Sequence, residues 1–358
     1  PSLFVILLWF NWSLWLMIPV AILFIASLVF VLAKQLRKQY VTKPVLHYLK
    51  SHLPTMSQTE RDALEAGDVW LEGKLFQGQP DWQENLNIRK PELNSEEQTF
   101  IDKQVEQLCA MTDDWQTVSN QDKDLSSKAW QYIKKEGFLG LIIPKEYGGK
   151  AFSPYAHSCI ITKIASRSIS TDGTVMVPNS LGPGELLMIY GTEEQKKYYL
   201  PRLASGKDIP CFALTAPNAG SDAASITDQG IVCDQKIDGK KTLGIKLNWD
   251  KRYITLAPIA TLIGVAFKLY DPKGLLGKEK YIGVTLALIP TKTPGVEVGN
   301  RHSPMSLSFM NGTTRGRDVF ISMDAIIGGQ EMVGKGWKML MEALSVGRSI
   351  SIPALSTA

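Results

Sequence analysis

Charge is missing from the start of this chain: no Asp, Glu, Lys or Arg occurs between Pro1 and Ala33. Such a run exceeds the roughly 20 residues that cross a bilayer at about 1.5 Å rise each. It does not fit a cleaved signal peptide, whose apolar core is about 7 to 15 residues behind a basic start. Cysteine and histidine are scarce, four of each in 358 residues. Cys109, Cys159, Cys211 and Cys233 show no C-x-x-C spacing, and His47, His52, His157 and His302 offer no metal-ligand pattern, so they read as reduced thiols and ordinary histidines. No G-x-G-x-x-G follows a strand pattern, which argues against a Rossmann dinucleotide site. Gly329-Gln-Glu-Met-Val-Gly334-Lys335 has P-loop spacing, but Gly336 stands where Ser or Thr must reach the metal. A charge excess is lacking as well: the net +4 gives no reason to expect a nucleic-acid partner.

What is present divides the chain into stretches of different character. Lys34, Arg37, Lys38, Lys43 and Lys50 all precede the first acidic residue, Glu60, as the positive-inside rule expects on the cytoplasmic side of a span. Trp9, Trp12 and Trp15 fit an interface belt, so residues 1–33 are expected to be a transmembrane anchor, with one span starting near Trp12. Residues 34–93 read as a basic juxtamembrane and connecting segment. Within it Ser57 and Glu60 have capping-box spacing, and Gly67 is a plausible stop.

Residues 94–208 have helical periodicity, as in Phe100, Val105 and Leu108. Thr192 and Gln195 open a further helix that Pro201 is expected to close. Residues 209–327 change to short β runs with turn signals such as Asp238-Gly239, which suit a compact antiparallel barrel or sandwich. Asn248-Trp-Asp250 reads as another turn. In 328–358, Trp337, Leu340, Met341 and Leu344 restore helical spacing and announce a second helical domain. Their apolar face is expected to lack a partner. A start at Pro1 and a pattern that stops in mid-helix lead to the expectation of an amino-terminal fragment of a longer protein. The fold class expected is α+β: α domain, antiparallel β domain and the start of a second α domain, preceded by a transmembrane helix.

The chemistry-bearing stretches are Phe212-Ala-Leu214-Thr215-Ala-Pro-Asn-Ala-Gly220-Ser221-Asp222 and Lys251-Arg-Tyr253-Ile254-Thr255. Both resemble the two flavin-binding signatures of the acyl-CoA dehydrogenase family, in the family's order and at about its separation. Leu139-Gly-Leu-Ile-Ile-Pro-Lys-Glu-Tyr-Gly-Gly149, Asn179-Ser-Leu-Gly182 and Tyr199-Leu-Pro-Arg-Leu203 resemble further family landmarks, and the likeness covers residues 94–353. The apolar start and Trp70-Leu-Glu-Gly-Lys-Leu-Phe-Gln-Gly-Gln-Pro-Asp-Trp82 are similar to the large membrane-associated bacterial members that serve fatty-acid β-oxidation.

This resemblance implies FAD, a fatty acyl-CoA substrate dehydrogenated to a trans-2-enoyl-CoA, and an electron-transfer flavoprotein as electron acceptor. It implies a homo-oligomer when complete, with the soluble part on the cytoplasmic side of a bacterial inner membrane. A flavin ring edge needs hydroxyls and backbone N–H groups at fixed positions, which Thr215 and Thr255 can supply. By resemblance Thr215 serves the pyrimidine side, Thr255 bonds near N5 and Tyr253 covers one ring face, with Phe212, Leu214, Gly220, Ser221 and Ile254 completing the cofactor set. Ser221, Arg348, Thr174 and Val177 are the corresponding substrate candidates. Taken alone, Gly-Ser-Asp is an ordinary turn, Thr255 a strand threonine, Arg348 a surface arginine, and Thr174 and Val177 helix packing. The chain departs from the family at Ala216, where an acidic residue or serine is usual, and at Tyr253, where tryptophan is usual. No acid follows Glu342, so the catalytic base is expected beyond residue 358. An acyl-CoA oxidase or flavin monooxygenase on the same fold, or a non-catalytic membrane-bound acyl-CoA or flavin binding module, are the alternatives.

Overall fold

The computed structural model describes all residues except 1–13, 66–68, 70, 120–122, 181, 238 and 278. Trp9, Trp12, Gly67, Trp70 and Asp238 therefore lie outside the described residues. The chain forms two compact units, 1–57 and 58–358.

In the first unit, helix Leu14–Leu32 ends at Ala33, whose φ of −78° and ψ of 72° are not helical, and Lys34–Arg37 begins a new helix. Arg37 Nη1 donates to Val31 O at 3.1 Å, capping a carbonyl that the break releases. The break falls at the end of the span expected over residues 1–33, whose start near Trp12 lies outside the described residues. Among the described residues no single helix is long and apolar enough to cross a membrane, and Ile18–Leu32 with Lys34–His52, bent by 81°, meets that measure only as a pair. Ile22, Leu23 and Val31 of the first helix are exposed.

The second unit starts with helices. Asn94 opens helix Ser95–Phe100 with a full capping box to Glu97, which the sequence reading did not single out. The second oxygen of Glu97 accepts from Ser153 N at 2.7 Å, where helix Pro154–Ala165 begins. Thr192 and Gln195 form the expected capping box of helix Glu193–Ala204. That helix runs through Pro201 instead of ending there. Proline removes one donor, and Ser205 N still reaches Pro201 O at 3.1 Å.

Among the described residues seven strands follow: β1 (Pro210–Ala213), β2 (Gln229–Ile237), β3 (Lys240–Thr255), β4 (Leu262–Tyr270), β5 (Tyr281–Pro290), β6 (Val296–His302) and β7 (Asn311–Ser322). Their order is β1-β4-β2-β3-β7-β6, with β5 also on β4. The expected all-antiparallel β domain is corrected to a mixed sheet, because β1 and β2 both lie parallel to β4. Each pairs a different part of it, β1 with Leu262–Val265 and β2 with Lys268–Tyr270, so the sheet splits and curls. The expected turn at Asn248-Trp-Asp250 is also corrected: these residues lie inside β3, and Gly239, at φ 78°, turns the β2–β3 hairpin. Trp249 fills the space left by Gly316 opposite it, where a Cβ would stand 2.0 Å from the indole.

One core joins helices to sheet. Leu108, Ile133, Phe138 and Ile160 of the helical part belong to the same buried cluster as Ile245, Leu247 and Val265 of the sheet. Asn179, fully buried, ties two segments together: it accepts from Leu141 N at 2.7 Å and donates to Phe138 O at 2.7 Å and Val175 O at 2.8 Å. Helix Gly336–Val346 is not left with a bare apolar face as expected. Leu340 is buried with Val284 and Leu286 of β5, and Trp337 Nε1 donates to Thr59 O at 2.9 Å across helix Gln58–Glu65. The Gly329–Lys335 segment is a turn in which a Cβ on Gly334 would stand 2.5 Å from Ile282 O, a packing requirement and not a phosphate cradle.

Candidate functional site

The two signature segments meet near the C-terminal end of β3. Lys251 points inward and is fully buried, where its ammonium donates to Asp228 Oδ2 at 2.5 Å and Leu214 O at 2.8 Å. Asp228 Oδ1 in turn accepts from Asp250 N at 2.8 Å. Burial pulls the Lys251 ammonium below the ordinary lysine range, with Asp228 opposing that shift. Arg252 completes the tie: its backbone N donates to Thr215 O at 3.1 Å and its guanidinium to Pro217 O at 2.7 Å. Two consecutive residues of β3 thus hold the backbone from Leu214 to Pro217.

The register of β3 against β7 slips between Lys251 and Ile254. This bulge throws Arg252 and Tyr253 out of the sheet while Ile254 remains buried. Tyr253 has φ 57° and Leu256 φ 67°, left-handed conformations that cost L-residues about 1–2 kcal/mol each. Strain of this kind gathers where function over-determines the backbone. The Tyr253 ring is 57% exposed, flanked by Arg252 at 5.2 Å and by the His302 ring at 4.9 Å. Thr255, half-buried on the same strand, accepts from Asn311 Nδ2 at 3.3 Å.

Thr215 is half-buried at the entry to a tight turn in which Ala216 and Ala219 exchange backbone hydrogen bonds at 3.1 and 3.2 Å. Gly220 and Ser221 are exposed beyond it, and a Cβ on Gly220 would meet nothing within 4 Å. Phe212 and Leu214 are half-buried packing residues, Phe212 lying against Gly264 of β4. Tyr253, Thr255, Thr215, Gly220 and Ser221 therefore belong to two tied segments with an open outer face. An exposed ring, hydroxyls and an uncrowded glycine turn are the groups a flat heterocycle with a phosphate tail requires, and in that sense these residues fit a flavin nucleotide.

The substrate candidates are placed differently. Thr174 and Val177 are buried in helix Ile169–Ser180, Thr174 donating to Ser170 O at 3.0 Å, while Arg348 is exposed on the π turn Gly347–Ser351. No hydrogen bond or ion pair among the described residues joins Arg348 to these two segments. Reading the sequence for motifs missed Asp228, Asn311 and His302. A lone Asp in a turn-rich segment and a polar residue at a strand end carry no local signal, since their partners are set by strand register.

The residues before the sheet, 92–207, match the model described as acyl-CoA dehydrogenase, N-terminal domain, and residues 211–319 that of the acyl-CoA dehydrogenase middle domain. The chain belongs to the acyl-CoA dehydrogenase family. A probable acyl-CoA dehydrogenase of Mycobacterium tuberculosis is 32% identical over 63% of this chain and 33% of its own length. Protein HemX of Proteus mirabilis is 56% identical over 92 residues, 26% of this chain and 54% of that protein. The chain thus spans between a third and just over half of these relatives.

Among solved structures, butyryl-CoA dehydrogenase of Megasphaera elsdenii superposes with a TM-score of 0.62 at 22% identity, over 75% of this chain and 66% of that one. A chain described with the electron-transferring flavoprotein of Acidaminococcus fermentans gives 0.63 at 22% identity, over the same shares. A Bacillus anthracis acyl-CoA dehydrogenase complexed with FAD gives 0.54 at 22%, over 73% and 40%. At these identities the structural likeness establishes the fold.

Proposed function

We propose that the protein carrying this chain is an FAD-dependent dehydrogenase that converts saturated fatty acyl-CoA to trans-2-enoyl-CoA in fatty-acid β-oxidation. The observation that carries this reading is the double tie by which Lys251 and Arg252 fix the Thr215 segment beside Tyr253 and Thr255. FAD, when bound, supplies the acceptor for the hydride that leaves the substrate β carbon. Thr255 and Thr215 hold the flavin edge by their hydroxyls, Tyr253 covers a ring face, and Gly220 and Ser221 present backbone N–H groups to a phosphate. Thr174, Val177 and Arg348 belong to the acyl and CoA side. The proton on the α carbon needs a carboxylate base. Electrons pass on to an electron-transfer flavoprotein, and the complete protein is a homo-oligomer.

Residues 1–33 anchor the protein to the bacterial inner membrane with the catalytic part on the cytoplasmic side. The supports are the uncharged run, its exposed apolar helix and the five cations that follow before Glu60. Thr255→Val tests the flavin reading: FAD retention falls by roughly 1–3 kcal/mol for the lost polar partner. Unchanged flavin occupancy, spectrum and reduction rate would remove Thr255 from the site.

A further inference from the structure

One rung of the sheet beside Tyr253 carries a polar side chain from each of three strands. Register pairs Thr255 of β3 with Asn311 of β7, and Asn311 with His302 of β6. Directly opposed residues of neighbouring strands project from the same face. Asn311 Nδ2 donates to Thr255 Oγ1 at 3.3 Å, and His302 Nδ1 lies 3.3 Å from Asn311 Oδ1. An amide oxygen only accepts, so the second contact requires the imidazole proton on Nδ1.

The consequence is directional. With its oxygen engaged by His302, the Asn311 amide presents its nitrogen to Thr255, and the Thr255 oxygen becomes the acceptor of that bond. The hydroxyl proton of Thr255 is then left to be donated outward. If the amide turned over, its oxygen would claim that proton, and Thr255 would face outward as an acceptor. Near N5, where Thr255 is placed, an oxidised flavin offers only acceptors, the unprotonated N5 and the neighbouring carbonyl oxygen, so only the first arrangement serves it. Asn311 is 4% exposed, which keeps water from competing for the amide, whereas His302 is half-buried and also packs its ring 4.9 Å from that of Tyr253.

We propose that His302, acting through Asn311, is a positioning residue that sets the Thr255 hydroxyl as a hydrogen-bond donor toward bound FAD. The inference rests on Thr255 being a flavin ligand, as argued above. Its test uses the protein with its full natural sequence, titrated with FAD, and reads both the dissociation constant and the position of the visible flavin absorption band. His302→Phe keeps a ring against Tyr253 but removes the donor. His302→Asn places an amide nitrogen two bonds from Cβ, where the imidazole Nδ1 stood, and keeps it.

The phenylalanine variant is expected to bind FAD about 2- to 10-fold more weakly, the worth of one hydrogen bond, with its absorption band displaced in the direction seen in Thr255→Val. The asparagine variant is expected to return both readings to those of the wild type, and thermal unfolding establishes that each variant is folded. Wild-type affinity and spectrum in His302→Phe, alongside a clear change in Thr255→Val, would overturn the role of His302 while leaving the flavin reading intact. Equal impairment in the phenylalanine and asparagine variants would overturn it too, since the donor would then not be what matters. No change in Thr255→Val itself would instead remove the flavin assignment on which the inference stands.

Discussion

Replacing Lys251 by methionine isolates the tie between the two signature segments. The wild-type ammonium is fully buried, and its two acceptors are Asp228, with a 2% exposed side chain, and the carbonyl of Leu214. Methionine fills a similar volume but leaves the Asp228 carboxylate with only the Asp250 N–H, at 2.8 Å, and the Leu214 carbonyl without this donor. Breaking a buried pair from one side costs about 3–5 kcal/mol, because the remaining charge is neither solvated nor compensated. Total stability of an ordinary domain is only about 5–15 kcal/mol, so the variant should unfold at markedly lower urea, with a melting point lower by about 5–8 °C. Tryptophan fluorescence is a suitable reporter, since Trp249 is buried two residues away on the same strand. The double variant Lys251→Met with Asp228→Asn removes both charges and keeps an oxygen for Asp250 N. It should recover at least half of the loss, because it is the unpaired charge that is costly. A single variant that loses less than about 1 kcal/mol, or a double variant no better than the single, would refute this reasoning.

Burial, with no partner for Oδ1, pushes the Asp172 carboxyl up to about 7. A raised carboxyl keeps its proton in the fold after the unfolded chain has released it, so stability present below pH about 4 is lost as pH rises toward 7. Asp172→Asn should remove that loss and be on the order of 3 kcal/mol more stable than wild type at pH 8 in urea unfolding, with no gain at pH 4. Glu185, also pushed up to about 7 by burial, should leave a residual slope, and identical pH profiles for the two proteins would contradict the assignment. For the anchor, the chain should sediment with membranes and resist alkaline carbonate, and deletion of residues 1–43 should release it. Release of the intact chain by high salt alone would mean that the five cations before Glu60, and not the apolar run, make the attachment.

The helical part was legible because its signals are local. The Thr192–Gln195 box and the periodicity of Phe100, Val105 and Leu108 depend on neighbours three to five residues away, and the structure keeps them. Pro201 misled because a proline near a helix end gives up only one hydrogen bond, which packing of Leu200 and Leu203 outweighs. The mixed sheet was not legible: whether β1 and β2 run parallel to β4 depends on crossovers, and strand composition does not record them. Asn248-Trp-Asp250 carries turn chemistry in its sequence, yet Trp249 has a glycine opposite it on β7 that only register reveals. The site follows the same division. Thr215, Tyr253 and Thr255 were visible as motifs, whereas Asp228, Asn311 and His302 are recruited from other strands and loops. The break at Ala33 had no sequence signal, since alanine is the best helix former.

The most direct measurement is anaerobic mixing of the FAD-loaded protein, in its full natural sequence, with a series of saturated fatty acyl-CoAs while visible flavin absorbance and enoyl-CoA are followed together. An acyl-CoA dehydrogenase predicts bleaching of the flavin matched one for one by trans-2-enoyl-CoA, and slower bleaching in Thr255→Val. A flavin that stays oxidised with every acyl-CoA of the series, at full FAD occupancy, would contradict the proposed function.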